Sequence, residues 1–85
     1  MGIEMTVRLP CDLRYVATAR LIAAESVKEA GAAGAPAEAF VGQVEDTARS
    51  CLAAAPAAPH VTMAVAREPG ALVVTIDDHT MRLTL

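Results

Sequence analysis

The chain has 85 residues, 54% hydrophobic and 20% charged, with a formal net charge of -3. That length excludes a multi-domain enzyme and describes one domain, residues 1–85, expected to bury about 60 to 65% of the surface its unfolded chain exposes. Seven Lys and Arg spread along a slightly acidic chain make no basic stripe, which argues against nucleic-acid binding.

In chain order, residues 3–9 alternate Ile3, Met5, Val7 and Leu9 with Glu4, Thr6 and Arg8, the period of a strand with one buried face, and Pro10 ends it. From Asp12, an N-cap, Leu13, Val16, Ala17, Leu21, Ala24 and Val27 recur every three or four residues and predict a helix that stops at Gly31 and Gly34. Pro36 suits the first turn of a second helix with the stripe Phe40, Val41, Val44, Ala48, Cys51, Leu52 and Ala55, closed by Pro56 and Pro59. Val61, Met63 and Val65 then alternate with small residues, and Glu68-Pro69-Gly70 supplies a turn before Leu72, Val74 and Ile76, which reads as a hairpin. After Asp77-Asp78-His79, Met81, Leu83 and Leu85 alternate with Arg82 and Thr84 in a last short strand. The expected class is α+β, a two-layer sandwich of order β-α-α-β-β-β, with two Ala-rich helices on one face of a small mixed or antiparallel sheet.

Nineteen of the apolar residues are alanines, and there is one Phe, one Tyr and no Trp. The core therefore falls to Val, Leu, Ile and Met. No run of 18 apolar residues is present, so no membrane span is expected. Met1 to Met5 lacks the basic start and apolar run of a signal peptide, and a cytoplasmic address is expected. Cys11 and Cys51, forty residues apart, read as thiols in a reducing compartment.

Few chemistry-bearing clusters stand out. Asp77, Asp78 and His79 with His60 or Cys51 carry metal donors, yet no pair at i, i+4 and no repeated His or Cys spacing accompanies them, so a solvated turn is expected. Glu45 and Asp46 need a substrate pocket to act as base and helper, and a solvated helix face is the simpler reading. Cys51 lies on an apolar stripe, where thiols are inert; Cys11, at a helix N-terminus, is the more reactive of the two. Arg14, Arg20 and Arg49 are spaced too widely for a phosphate clamp, Tyr15 reads as a partly buried anchor of the first helix, and Gly31 and Gly34 do not follow a strand as a dinucleotide loop requires.

Three pieces taken in order carry a resemblance: Leu9-Pro10 followed by Tyr15-Val16 and Arg20; Val44-Glu45-Asp46 leading to Ala48 and Cys51-Leu52; and a strand ending in Ile76-Asp77-Asp78. Over residues 3–80 the chain resembles the N-terminal part of the Bergerat (GHKL) ATP-binding fold, specifically serine-kinase anti-sigma factors of the RsbW type. In that family the second helix carries a Glu base and, four residues on, an Asn that ligates magnesium. The resemblance sets Asp46 and Ser50 at these positions, or Glu45 and Arg49 in the neighbouring frame, and neither frame has the Asn. A single hydroxyl is a poor magnesium donor and Arg repels the cation.

The family's adenine-binding Asp is followed by two glycines at alternate positions. Asp78 matches the Asp, while Thr80 and Arg82 stand at the glycine positions, where a Cβ restricts the backbone. The family's lid and further strands have no counterpart before Leu85. The resemblance therefore implies a shortened, degenerate domain: a non-catalytic regulatory protein-binding module, like an anti-sigma factor, without a cofactor. Its partner would be a sigma factor or an anti-sigma antagonist. One alternative is a residual serine kinase, with ATP and magnesium, completed by another chain; a second is a homo-oligomeric assembly domain. A homodimer through the sheet or the first helix is expected, with Ile3, Met5 and Val7 on one edge and Met81, Leu83 and Leu85 on the other pairing by strand addition.

Overall fold

The computed structural model describes residues 2–54 and 59–85, with side chains placed for 5–53 and 59–85. The elements are β1 (Gly2–Pro10), a 3-10 turn (Leu13–Tyr15), α1 (Val16–Glu29), α2 (Ala35–Ala54), β2 (His60–Glu68), β3 (Ala71–Ile76) and β4 (His79–Thr84). The order is β-α-α-β-β-β, and all strand pairs are antiparallel in the spatial order β1-β2-β3-β4. The two helices form a hairpin inserted between β1 and β2 and pack on one face, α1 against β2 and α2 against β3 and β4. Ala55 and Pro56, expected at the end of α2, lie outside the described residues.

Local chemistry explains the boundaries. The α1 C-terminus is a Schellman cap: Ala32 N donates to Val27 O at 3.1 Å and Gly31 N to Lys28 O at 3.0 Å. Gly31 sits at φ +80, the left-handed conformation this cap needs and glycine adopts without a Cβ penalty. Gly70, at φ +75, does the same after Pro69 in the β2–β3 turn. Between β3 and β4 the turn residue Asp77 takes φ +58, a conformation that a short polar side chain tolerates better than a bulky one.

The core lies between the layers. Val61, Met63 and Val65 from β2, Leu72, Val74 and Ile76 from β3, and Met81 and Leu83 from β4 face Ala37, Phe40, Val41, Val44, Ala48 and Leu52 on α2, as the alternation and the helical stripe predict. Tyr15 is half-buried against the core, as an anchor. On the opposite, uncovered face Ala71 and Val73 are nevertheless buried. Arg82 reaches from β4 across β3 to Glu68 on β2, Nη1 to Oε1 at 2.6 Å, and its methylene stem shields them.

Helix α1 departs from the expected stripe. Its buried positions are Val16, Ala19, Ala23 and Val27, whereas Leu13 and Leu21 are 55% and 60% exposed and Ala17 is exposed too. Two causes combine. Asp12 caps a 3-10 turn rather than the α-helix, its Oδ1 accepting from Arg14 N at 2.9 Å, so Leu13 lies outside the 3.6-residue period. Ala19 and Ala23, with no exposed surface, let α1 lie close to α2, and that contact outweighs the larger side chains on the other side.

Candidate functional site

The residues singled out by the resemblance lie on α2 and the β3–β4 turn. On the outer side of α2, Glu45 receives Arg20 from α1 (Nε to Oε1, 3.3 Å) and Arg49 from the next turn (Nη2 to Oε2, 3.1 Å). Arg49 also donates to Asp46 Oδ1 at 3.3 Å. The Asp46 side chain is 81% exposed. A carboxylate so placed faces solvent and shares its charge with an adjacent guanidinium. Ser50 is exposed beside it.

The turn approaches α2 at one point. Cys51 Sγ lies 3.7 Å from His79 Nδ1, and His79 Nδ1 lies 3.1 Å from Asp78 Oδ1, an ion pair only when the imidazole is protonated. This contact brings the two segments into one corner of the molecule. Burial, followed by the charges of Asp77 and Asp78, pushes the Cys51 thiol up, so it is protonated and unreactive near neutral pH, as its place on the apolar stripe leads one to expect. Cys51 is a thiol and not half of a disulfide. Among the described residues no group of three or more His, Cys, Asp or Glu is arranged to hold a metal ion.

The positions where the family has glycines carry side chains on the uncovered face of the sheet. Thr80 Oγ1 lies 3.5 Å from Thr75 Oγ1, and Arg82 is committed to Glu68. Ser50, Thr80 and Arg82, the positions the resemblance singles out, therefore carry one exposed hydroxyl and two side chains engaged on or directed to the uncovered face. A groove of about 560 Å³ does open between the helices, but Arg20, Ala24, Val27, Lys28, Gly34, Glu38 and others line it, and Asp46, Ser50 and Asp78 do not.

The expected edge residues divide between core and surface. Met81 and Leu83 are buried under α2, Val7 is half-buried, and Met5 and Leu85 are 40% and 44% exposed. The backbone of Ile3 pairs with Ala66. β1 and β4 are the two sheet edges. Sequence reasoning missed Arg67. It occupies a helix-side position opposite Leu72, and its Nε is buried without a partner among the described residues. The alternation Val61, Met63, Val65, Arg67 contains this signal, a cation where the pattern calls for an apolar residue.

No helix among the described residues is long and apolar enough to cross a membrane. In comparisons with known proteins, no family profile, no curated protein and no solved structure matches the chain at a significant level.

Proposed function

We propose that the domain is a non-catalytic regulatory module that binds a protein partner, in the manner of the anti-sigma factors it resembles. One observation carries the non-catalytic part: Asp46, at the family's base position, is a surface carboxylate paired with Arg49. The exposed Ala17 and Leu21 on α1, with the exposed Leu13 in the 3-10 turn before it, support protein binding, because exposed apolar side chains offer contact to an apolar partner. A sigma factor or an antagonist of the anti-sigma type is the partner this reading calls for, and a cytoplasmic address goes with it.

The second reading, a residual serine kinase completed by another chain, draws on the Cys51–His79 contact, which holds α2 and the β3–β4 turn together. Binding of a purified sigma factor to the chain, measured with and without magnesium ATP, separates the two. A complex that forms without nucleotide, is weakened by Leu21→Glu and is unaffected by Asp46→Ala is the expected result. A complex that requires magnesium ATP and is lost in Asp46→Ala contradicts the proposal.

A further inference from the structure

The two edges of the sheet are unlike, and the difference is in the backbone. Leu85 N donates to Gly70 O at 2.8 Å, continuing the β3–β4 register in which Ile76 faces His79 and Ala71 faces Thr84. Residue pairs in an antiparallel ladder alternate between bonded and non-bonded. His79, Met81, Leu83 and Leu85 therefore turn their N–H and C=O groups toward β3, and Thr80, Arg82 and Thr84 turn theirs outward. The same logic applies to β1. Asp77 N donates to Thr62 O at 2.9 Å, so the even-numbered residues of β2 face β3 and the odd-numbered ones face β1. Given the β1–β2 register, Thr6, Arg8 and Pro10 point outward on β1. Pro10 has no N–H to offer, and the register shifts between Ile3 and Met5, two devices that blunt an edge. β4 has neither. It is regular and rich in threonine, and it presents three outward N–H groups.

What lies above β4 suits a second copy of the chain. Glu45 faces α1 through Arg20; at ~100° per residue, Gln43, Thr47 and Ser50 fall on the other flank of α2. Cys51, in contact with His79, ties that flank to the β4 side. These four residues are uncharged, and three are small. α2 packs against both β3 and β4. With strands ~4.8 Å apart, a two-fold axis beside β4 brings the second α2 to a distance of two strand spacings, ~9.6 Å, which is a helix-packing distance.

We infer that two copies of the chain pair β4 to β4 in antiparallel fashion, forming an eight-stranded sheet with the α2 helices side by side. This goes beyond the proposed function and adds a second copy of the chain as a partner at a separate surface. Two face-preserving registers centre on this strand. Setting Arg82 against Arg82 of the second copy opposes like charges, whereas setting Thr80 against Arg82 of the second copy avoids this and places Met81 against its own counterpart on the helix side. The second register is the one assigned. It contains four interchain hydrogen bonds, donated by Thr80 and Arg82 of each copy.

Thr80→Pro deletes two of these four donors and none of the β3–β4 ladder, and Thr6→Pro makes the equivalent change on the blunted edge. Light scattering is expected to give twice 8.8 kDa for the native chain and for Thr6→Pro. For Thr80→Pro the dissociation constant rises on the order of thirtyfold to a hundred-and-fifty-fold, from about 1 to 1.5 kcal/mol for each of the two lost bonds. A native chain of 8.8 kDa up to millimolar concentration overturns the inference, as does a folded Thr80→Pro that dimerises as tightly as the native chain. Should Thr80→Pro not fold, amide exchange on the native chain decides. The Thr80 and Arg82 amides slow as concentration rises while Thr6 and Arg8 do not; exchange independent of concentration at all four overturns the pairing. A monomer that still binds a sigma factor removes this pairing and leaves the proposed function standing.

Discussion

Asp12 caps the 3-10 turn that follows β1 with a single side chain. One carboxylate oxygen accepts the Arg14 backbone N–H and the other accepts the Arg14 guanidinium at 2.9 Å. The Arg14 side chain first, and its backbone N–H second, hold the Asp12 carboxyl below its ordinary value of 3.8. A carboxyl depressed in the folded state stabilises the fold above its unfolded value and loses that contribution as pH falls through the folded one. The loss therefore begins near 3.8 and runs downward. Asp12→Asn is expected to keep a cap and to flatten the acid side of the stability profile, read as urea midpoints at neutral pH and below 3.8. An unchanged acid slope in the variant contradicts this role. Cys51 has the opposite sign: its raised pKa leaves stability unaffected below the ordinary 9.0 and lowers it as pH climbs through the folded value.

At the scale of elements, β2 contains a conflict that can be tested. Arg67 continues the helix-facing row of Val61, Met63 and Val65, lines a small cleft with Met5, Ser26 and Glu29, and has a buried Nε with no partner among the described residues. An unsatisfied buried donor costs about 1–3 kcal/mol, so Arg67→Met, which keeps the stem and removes the donor, is expected to be neutral or to stabilise by about 1 kcal/mol. A drop in the urea midpoint by the equivalent amount contradicts that reading and assigns the guanidinium a structural partner. The elements were legible in unequal measure. β2, β3 and β4 declare themselves because Val, Leu, Ile and Met alternate with small or polar residues, and α2 because Phe40, Val41, Val44 and Leu52 outweigh everything on its other sides. The face of α1 was not legible. Its packing is done by Ala19 and Ala23, whose value is small size and close approach rather than hydropathy, while Leu13 and Leu21 dominate any periodicity count from the solvent side. The candidate site was legible only as a list of positions. That Asp46 pairs with Arg49, and that Thr80 and Arg82 lie on the far face of the sheet, depends on helical phase and strand parity that residue types do not specify.

For the whole molecule, size governs what the surface does. The accessible area is 4951 Å² against about 12,800 Å² for an extended chain of this mass, so about 61% is buried. Only one helical layer covers one face of the sheet. The other face stays open, with Arg82 and Glu68 as its main cover over Val73. A domain of this size sits at the low end of stability, near 0.05–0.15 kcal/mol per residue, and gains from covering the exposed apolar side chains of α1 and its β4 edge. Three charged groups of α2 are meanwhile engaged: Glu45 with Arg20 of α1 and with Arg49, and Asp46 with Arg49. Under the proposed function, Asp46, Ser50 and Asp78, the positions that match the resembled family's site, carry no chemistry, and the exposed apolar side chains of α1 and the β4 edge carry association.

That separation is tested most directly by calorimetric titration of the folded chain with magnesium ATP. No heat of binding is the expected result, because the resemblance sets Ser50 where that family has a metal-binding Asn, and Thr80 and Arg82 where it has glycines. Saturable micromolar binding, lost in Asp78→Ala, contradicts the account and moves the function to the corner where Cys51 meets His79.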